Sequence, residues 1–113
     1  MKATIASLIF LLLSLAVSSQ TYKYIGIEEG LSNQKIYRIQ KDARGYMWFL
    51  THVGIDRYNG KEIKHYKLKE GDRELDPLLN INWTYLDKTG TLLVTGKQGR
   101  IFRYDSGHDR FVQ

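Results

Sequence analysis

The sequence predicts an all-β protein: two antiparallel four-stranded units in tandem, preceded by a leader. Three observations carry that prediction. "DARGYMWF" (42–49) returns forty-five residues later as "DKTGTLLV" (87–94). From residue 35 onward, short runs of β-branched and aromatic residues alternate with turn residues. After Gln20 no segment shows the apolar period of about 3.6 that a surface helix needs.

The leader comes first. Lys2 gives a positive start, and Ala3 to Val17 form an apolar stretch broken only by Thr4, Ser7 and Ser14. "VSS" (17–19) then places small residues where a signal peptidase reads them. Residues 1–19 therefore read as a signal peptide, with Gln20 as the new N-terminus and the periplasm or the extracellular space as destination. A retained membrane anchor is the competing reading. A spanning helix needs roughly 20 apolar residues, and this run is shorter and ends in serines. No cysteine is present, so neither a disulfide framework nor a lipidated cysteine is available to an exported chain.

Charge excludes one class of partner. Without Lys2, 16 basic and 12 acidic residues remain, a net +4, and they are interspersed as in "KEIKHYKLKEGDRELD" (61–76). A nucleic-acid surface concentrates its basic residues in a stripe beside exposed aromatics. A solvated mixed surface is expected instead, with no nucleic acid bound and no membrane contact beyond the leader.

The repeat defines the units. Asp42 aligns with Asp87, Gly45 with Gly90, Trp48 with Leu93 and Gly54 with Gly99. After one inserted residue near Arg100, Arg57 aligns with Arg103 and Tyr58 with Tyr104. "IYRIQKD" (36–42) and "INWTYLD" (81–87) are first strands, each closed by an Asp-x-x-Gly turn. There the Asp accepts turn amides and the Gly tolerates a left-handed conformation. "MWFL" (47–50) and "LLV" (92–94) are short apolar runs suited to a strand buried on both faces. "IDRY" (55–58) and "IFRY" (101–104) are third strands. "YNGK" (58–61) carries Asn-Gly, expected to make a hairpin with both residues at positive φ. "EIKHYKL" (62–68) alternates as a half-exposed outer strand.

A four-stranded meander whose second strand is most apolar and whose fourth is most polar describes a β-propeller blade. One blade cannot bury both faces, so the sequence repeats until neighbours cover each other. The chain divides into an opening strand and loop (20–34), blade 1 (35–68), a connection holding Pro77 (69–80) and an incomplete blade 2 (81–113). A propeller has roughly 4–8 blades. The expectation is thus an N-terminal fragment of a larger propeller, with the outward faces of both blades left wet.

These residues carry a resemblance. "GLSNQKIYRIQKDARGYMWFLTHVGIDRYNGKEIKHY" (30–66) resembles the two-component regulator propeller repeat: Gly-Leu-Ser, a strand, Asp-x-x-Gly, a Trp-containing strand, Thr, Gly and an Arg-Tyr-x-Gly hairpin. "LDKTGTLLVTGKQGRIFRYD" (86–105) is similar to a more degenerate copy, with Leu93 in place of Trp. "YKYIGIEEGLS" (22–32) is similar to the family's opening strand, which pairs with the last blade. The resemblance implies the exported sensor region of a hybrid two-component histidine kinase. Such a parent senses oligosaccharides, and its remaining blades are this segment's partners.

Chemistry is sparse by comparison. His52, His65 and His108 are scattered, and none stands at metal-ligand spacing beside another ligand type. Asp42 and Asp87 read as turn caps rather than a catalytic pair. No nucleophile elbow, phosphate loop or calcium loop is present in the sequence. No catalysis, metal or cofactor is expected. Aromatic faces suit sugar stacking, and Trp83, Tyr37 and Tyr46 are the candidates, but core or blade-edge packing is the favoured reading at each. Trp48 is expected in the core. The alternatives to a sensor segment are a freestanding secreted interaction or carbohydrate-binding protein, and part of a polysaccharide-active propeller enzyme.

The leader generates the first test. Expressed in a Gram-negative host, the chain is expected in the periplasm with its N-terminus near Gln20, read by N-terminal sequencing. Recovery of intact Met1 in the membrane fraction would support an anchor instead.

Overall fold

A computed structural model describes residues 2–15 and 20–113. Helix α1, Lys2–Leu15, covers the apolar leader. Its side chains at Ile5, Leu8 and Phe10 are exposed. No helix among the described residues is long and apolar enough to cross a membrane. The expected cleavage junction at 17–19 lies outside the described residues.

Blade 1 consists of β1 (Ile36–Lys41), β2 (Met47–Thr51), β3 (Ile55–Tyr58) and β4 (Ile63–Tyr66). A hairpin of β5 (Lys69–Glu70) and β6 (Arg73–Glu74), then one helical turn α2 (Pro77–Asn80), follow. Blade 2 consists of β7 (Ile81–Leu86), β8 (Leu92–Gly96), β9 (Ile101–Asp105) and β10 (Arg110–Val112). Each blade is a four-stranded antiparallel meander in sequence order, so the chain is all-β with consecutive propeller blades.

The turns follow from their residues. Gly45 N donates to the Asp42 carbonyl (3.1 Å), and Gly90 N to the Asp87 carbonyl (2.9 Å). Both glycines are left-handed, at φ +87 and +77, where a Cβ is disfavoured. The ladders then repeat residue for residue. Gln40, Trp48 and Arg57 lie abreast in blade 1; Tyr85, Leu93 and Arg103 lie abreast in blade 2. Even the irregularity in the first strand recurs, between Ile36 and Arg38 and between Ile81 and Trp83.

Some details differ from expectation. Residues 20–35 form no strand. A lone extended segment needs a partner edge for its backbone groups, and here Tyr22 and Tyr24 are exposed. The Asn59-Gly60 pair does not place both residues at positive φ; only Gly60 does so. Asn59 Oδ1 instead accepts from Lys61 N and Glu62 N, which makes a four-residue loop. Gly54 and Gly99 are not equivalent either. The Gly54 carbonyl accepts from Thr51 N, whereas Arg100 supplies the matching carbonyl to Gly96 N. The inserted residue turns Lys97–Gly99 into a 3₁₀ turn with Gly99 at φ +73.

The core sits between the blades. Trp48, Leu50, Ile55 and Tyr66 of blade 1 pack with Leu92, Val94, Phe102 and Tyr104 of blade 2, and Leu68 and Leu75 close the outer end. Side chains alternate along a strand. Trp48 therefore faces blade 2, while its counterpart Leu93 faces away from blade 1. On that outward face Tyr85 and Ile101 remain 52% and 54% exposed.

The two turn glycines are expected to respond differently. A Cβ at Gly45 meets nothing within 4 Å, but one at Gly90 comes within 2.3 Å of Ala43 Cβ. Ala43 N also donates to the Gly90 carbonyl (3.0 Å), which holds the two turns together. Gly45→Ala should cost about 1 kcal/mol of backbone strain. Gly90→Ala should cost more, because it pries the blades apart. Equal losses in thermal unfolding would refute this contact.

Candidate functional site

Two side-chain groupings lie between the blades. One is structural, the other open to solvent.

The first begins at Asp42. Its Oδ1 accepts from Arg44 N (2.9 Å) and Tyr46 N (3.0 Å), as a turn cap does, and its Oδ2 accepts from Trp48 Nε1 (2.8 Å). The cap thus also fixes the indole that fills the core. Leu93 has no N–H to offer, and Asp87 Oδ2 accepts from Arg103 Nε instead (3.0 Å). Asp87 Oδ1 keeps the capping role toward Thr89 and Thr91. Tyr58 is half-buried at the blade edge, where its hydroxyl donates to the Gly60 carbonyl.

Arg57 spans the interface. Its guanidinium lies 4.5 Å from the Tyr46 ring centroid and donates to Tyr104 Oη and Asp109 Oδ1. Tyr66, Tyr104 and Lys64 donate to the same Asp109 carboxylate. Asp109 sits in a left-handed turn at φ +51. Burial pushes its carboxyl up, but hydrogen bonds from Lys64, Tyr104 and Tyr66 and the Arg57 charge together hold it well below the usual carboxylate range. Burial and the bond to Asp109 push the Tyr66 phenol up.

Apart from these two groupings, a cluster missed in the sequence joins Ser32, Asp56 and His65. Ser32 N and Oγ donate to the fully buried Asp56 carboxylate (2.7 and 2.6 Å). His65 Nδ1 lies 2.7 Å from both Ser32 Oγ and Asp56 Oδ1. The hydroxyl proton goes to the carboxylate rather than to an imidazole base, so the trio pins the Gly-Leu-Ser turn instead of activating a nucleophile. Among the described residues, no three His, Cys, Asp or Glu side chains gather as metal ligands would.

The open grouping is a cleft of about 290 Å³ where β1 and β7 begin. That is the small end of the range for ligand sites, about 300–1,000 Å³. Leu50 and Ile81 line its depth, and Pro77 of α2 lines one side. Tyr37, Arg38, Asn82 and Trp83 supply its chemistry. Tyr37 stacks on His52 at 4.4 Å yet stays 51% exposed. The Arg38 guanidinium lies 4.3 Å from the Trp83 ring centroid, and Trp83 stays 44% exposed. Of the three aromatic candidates, Tyr37 and Trp83 come together here. Tyr46 does not; it lies under Arg57.

Residues 30–52 match the family model described as two component regulator propeller. None of the curated proteins matches the chain.

The Arg57–Asp109 contact predicts a pH response. A carboxyl held below its ordinary value of about 3.9 contributes stability that is full above that pH and is lost as pH falls below it. A phenol held above about 10 contributes stability that is lost as pH rises past that value. Asp109→Asn should lower the melting temperature at neutral pH and flatten its fall below about pH 4. Tyr66→Phe should flatten the alkaline limb. Unchanged slopes in melting curves recorded across this range would remove both groups from the interface energetics.

Proposed function

We propose that this chain, whose first blade carries a two component regulator propeller repeat, is part of the exported sensing propeller of a two-component system and that it binds oligosaccharide without catalysis of its own. The repeat itself is a non-catalytic type of domain. The cleft is the observation that carries the binding reading. Tyr37, Arg38, Leu50 and Thr51 come from the matched residues 30–52, and Trp83 faces them from blade 2. Two half-exposed aromatic rings beside hydrogen-bonding side chains suit the apolar C–H face and polar rim of a pyranose. The signal-peptide pattern supports an extracytoplasmic location, and the uncovered face of blade 2 supports further blades as partners.

Titration of the full chain with a panel of neutral and acidic oligosaccharides, followed by the Trp83 indole resonance, tests this reading. Binding should shift that resonance, and Trp83→Ala, titrated by calorimetry because it lacks that indole, should weaken binding at least about tenfold. A cooperatively unfolding chain that binds no member of the panel would overturn the proposal.

A further inference from the structure

We propose that the cleft between β1 and β7 is an acidic-sugar subsite, in which Arg38 takes the carboxylate of a hexuronate while Tyr37 and Trp83 flank its ring. The proposal rests on the oligosaccharide reading above and adds the charge of the ligand.

Arg38 carries it. Three arginines in the blades are partly buried: Arg38, Arg57 and Arg100. Arg57 pairs with Asp109, and Arg100 with Glu70 at 3.0 Å. Arg38 has only neutral partners among the described residues. Its Nε donates to Thr84 Oγ1 (3.1 Å), its Nη2 to Gln40 Oε1 (3.3 Å), and its Cζ lies over the Trp83 ring. A guanidinium has five N–H donors, and these bonds use two. Taking a cation partly out of water without a counter-charge is costly, so an incoming anion gains an interaction the protein itself leaves unfilled.

The surroundings select which anion. Among the described residues, Arg38 is the one charged residue lining the cleft, and no carboxylate lines it to oppose an acidic ligand. The bonds to Thr84 and Gln40 hold the guanidinium plane beside the Trp83 ring, which suits a planar carboxylate met by two parallel N–H bonds. Bare inorganic anions would leave the aromatic surface unused. A uronate brings a carboxylate and a ring on one small frame. Asn82 Nδ2 already donates to the Gly96 carbonyl (3.3 Å), which leaves its Oδ1 to accept a sugar hydroxyl.

The test compares galacturonate trimer with the neutral galactose trimer on the full chain, at low and at physiological salt. The acidic trimer is expected to bind at least about tenfold tighter at low salt. Salt should narrow that gap, because the site is partly exposed. Arg38→Met keeps most of the apolar stem and should erase the preference, read as the ratio of the two trimers' affinities on that same variant. Arg38→Lys keeps the charge without the fork and should retain part of it. Thermal unfolding of each variant separates lost binding from lost fold, and the wild-type comparison stands even if a variant misfolds. Equal affinities for the two trimers, or a preference that survives Arg38→Met, would overturn the acidic subsite and leave the oligosaccharide reading intact. Binding of neither trimer, nor of any glycan in the wider panel, by a cooperatively unfolding chain would overturn both.

Discussion

The face of blade 1 that carries Trp48 has no partner within its own sheet, and the rest of the structure follows from covering it. A β-sheet satisfies its backbone in one plane and leaves two side-chain faces to be buried. Trp48, Leu50 and Ile55 present one of those faces as a continuous apolar surface. Burying each such side chain contributes roughly 1.5–3 kcal/mol. Among the described residues, no helical side chain belongs to that core. A second copy of the same meander supplies the cover, through Leu92, Val94 and Phe102.

Packing like against like leaves a polar problem at the rim. The indole N–H, the guanidinium and two phenols all lie at the edge of the apolar face, and each needs a partner when partly buried. Asp42 answers the first from within blade 1. Asp109, sixty-seven residues away, collects the others: Arg57 and Tyr66 across the interface and Tyr104 within its own blade. Blade 2 lacks the tryptophan, and its capping aspartate turns to Arg103. One repeat motif therefore runs two hydrogen-bond schemes, chosen by whether the central strand offers an N–H.

The cleft is a product of the same geometry. Neighbouring blades converge where their first strands begin, and the irregularity that both first strands share lies in that region. Side chains from equivalent positions, Arg38 and Trp83, meet there. In blade 1 that position is a cation and in blade 2 an aromatic ring. An exact repeat would have set arginine beside arginine or tryptophan beside tryptophan. Divergence between the copies creates the mixed aromatic and cationic lining.

The sequence by itself determined the strands of the two blades, though not the absence of an opening strand or the β5–β6 hairpin, together with the Asp-x-x-Gly turns and the burial of Trp48, because these rest on local rules: side-chain alternation, turn chemistry and apolar runs. It showed the blade repeat for the same reason. It did not show the helical turn at Pro77–Asn80, the Asn59 loop or the shift from Gly54 to Arg100, since each depends on which of several nearby groups completes a hydrogen bond within two to four residues. Ser32 with Asp56 and His65, and Arg57 with Asp109, were equally silent, because partners twenty-four to fifty-two residues apart leave no spacing signal. Tyr37 and Trp83 were visible as possible stacking rings, but only the packing of blade on blade placed them at one cleft and put Tyr46 elsewhere. Local propensity writes the elements, whereas the contacts between two sheets decide which of their side chains meet.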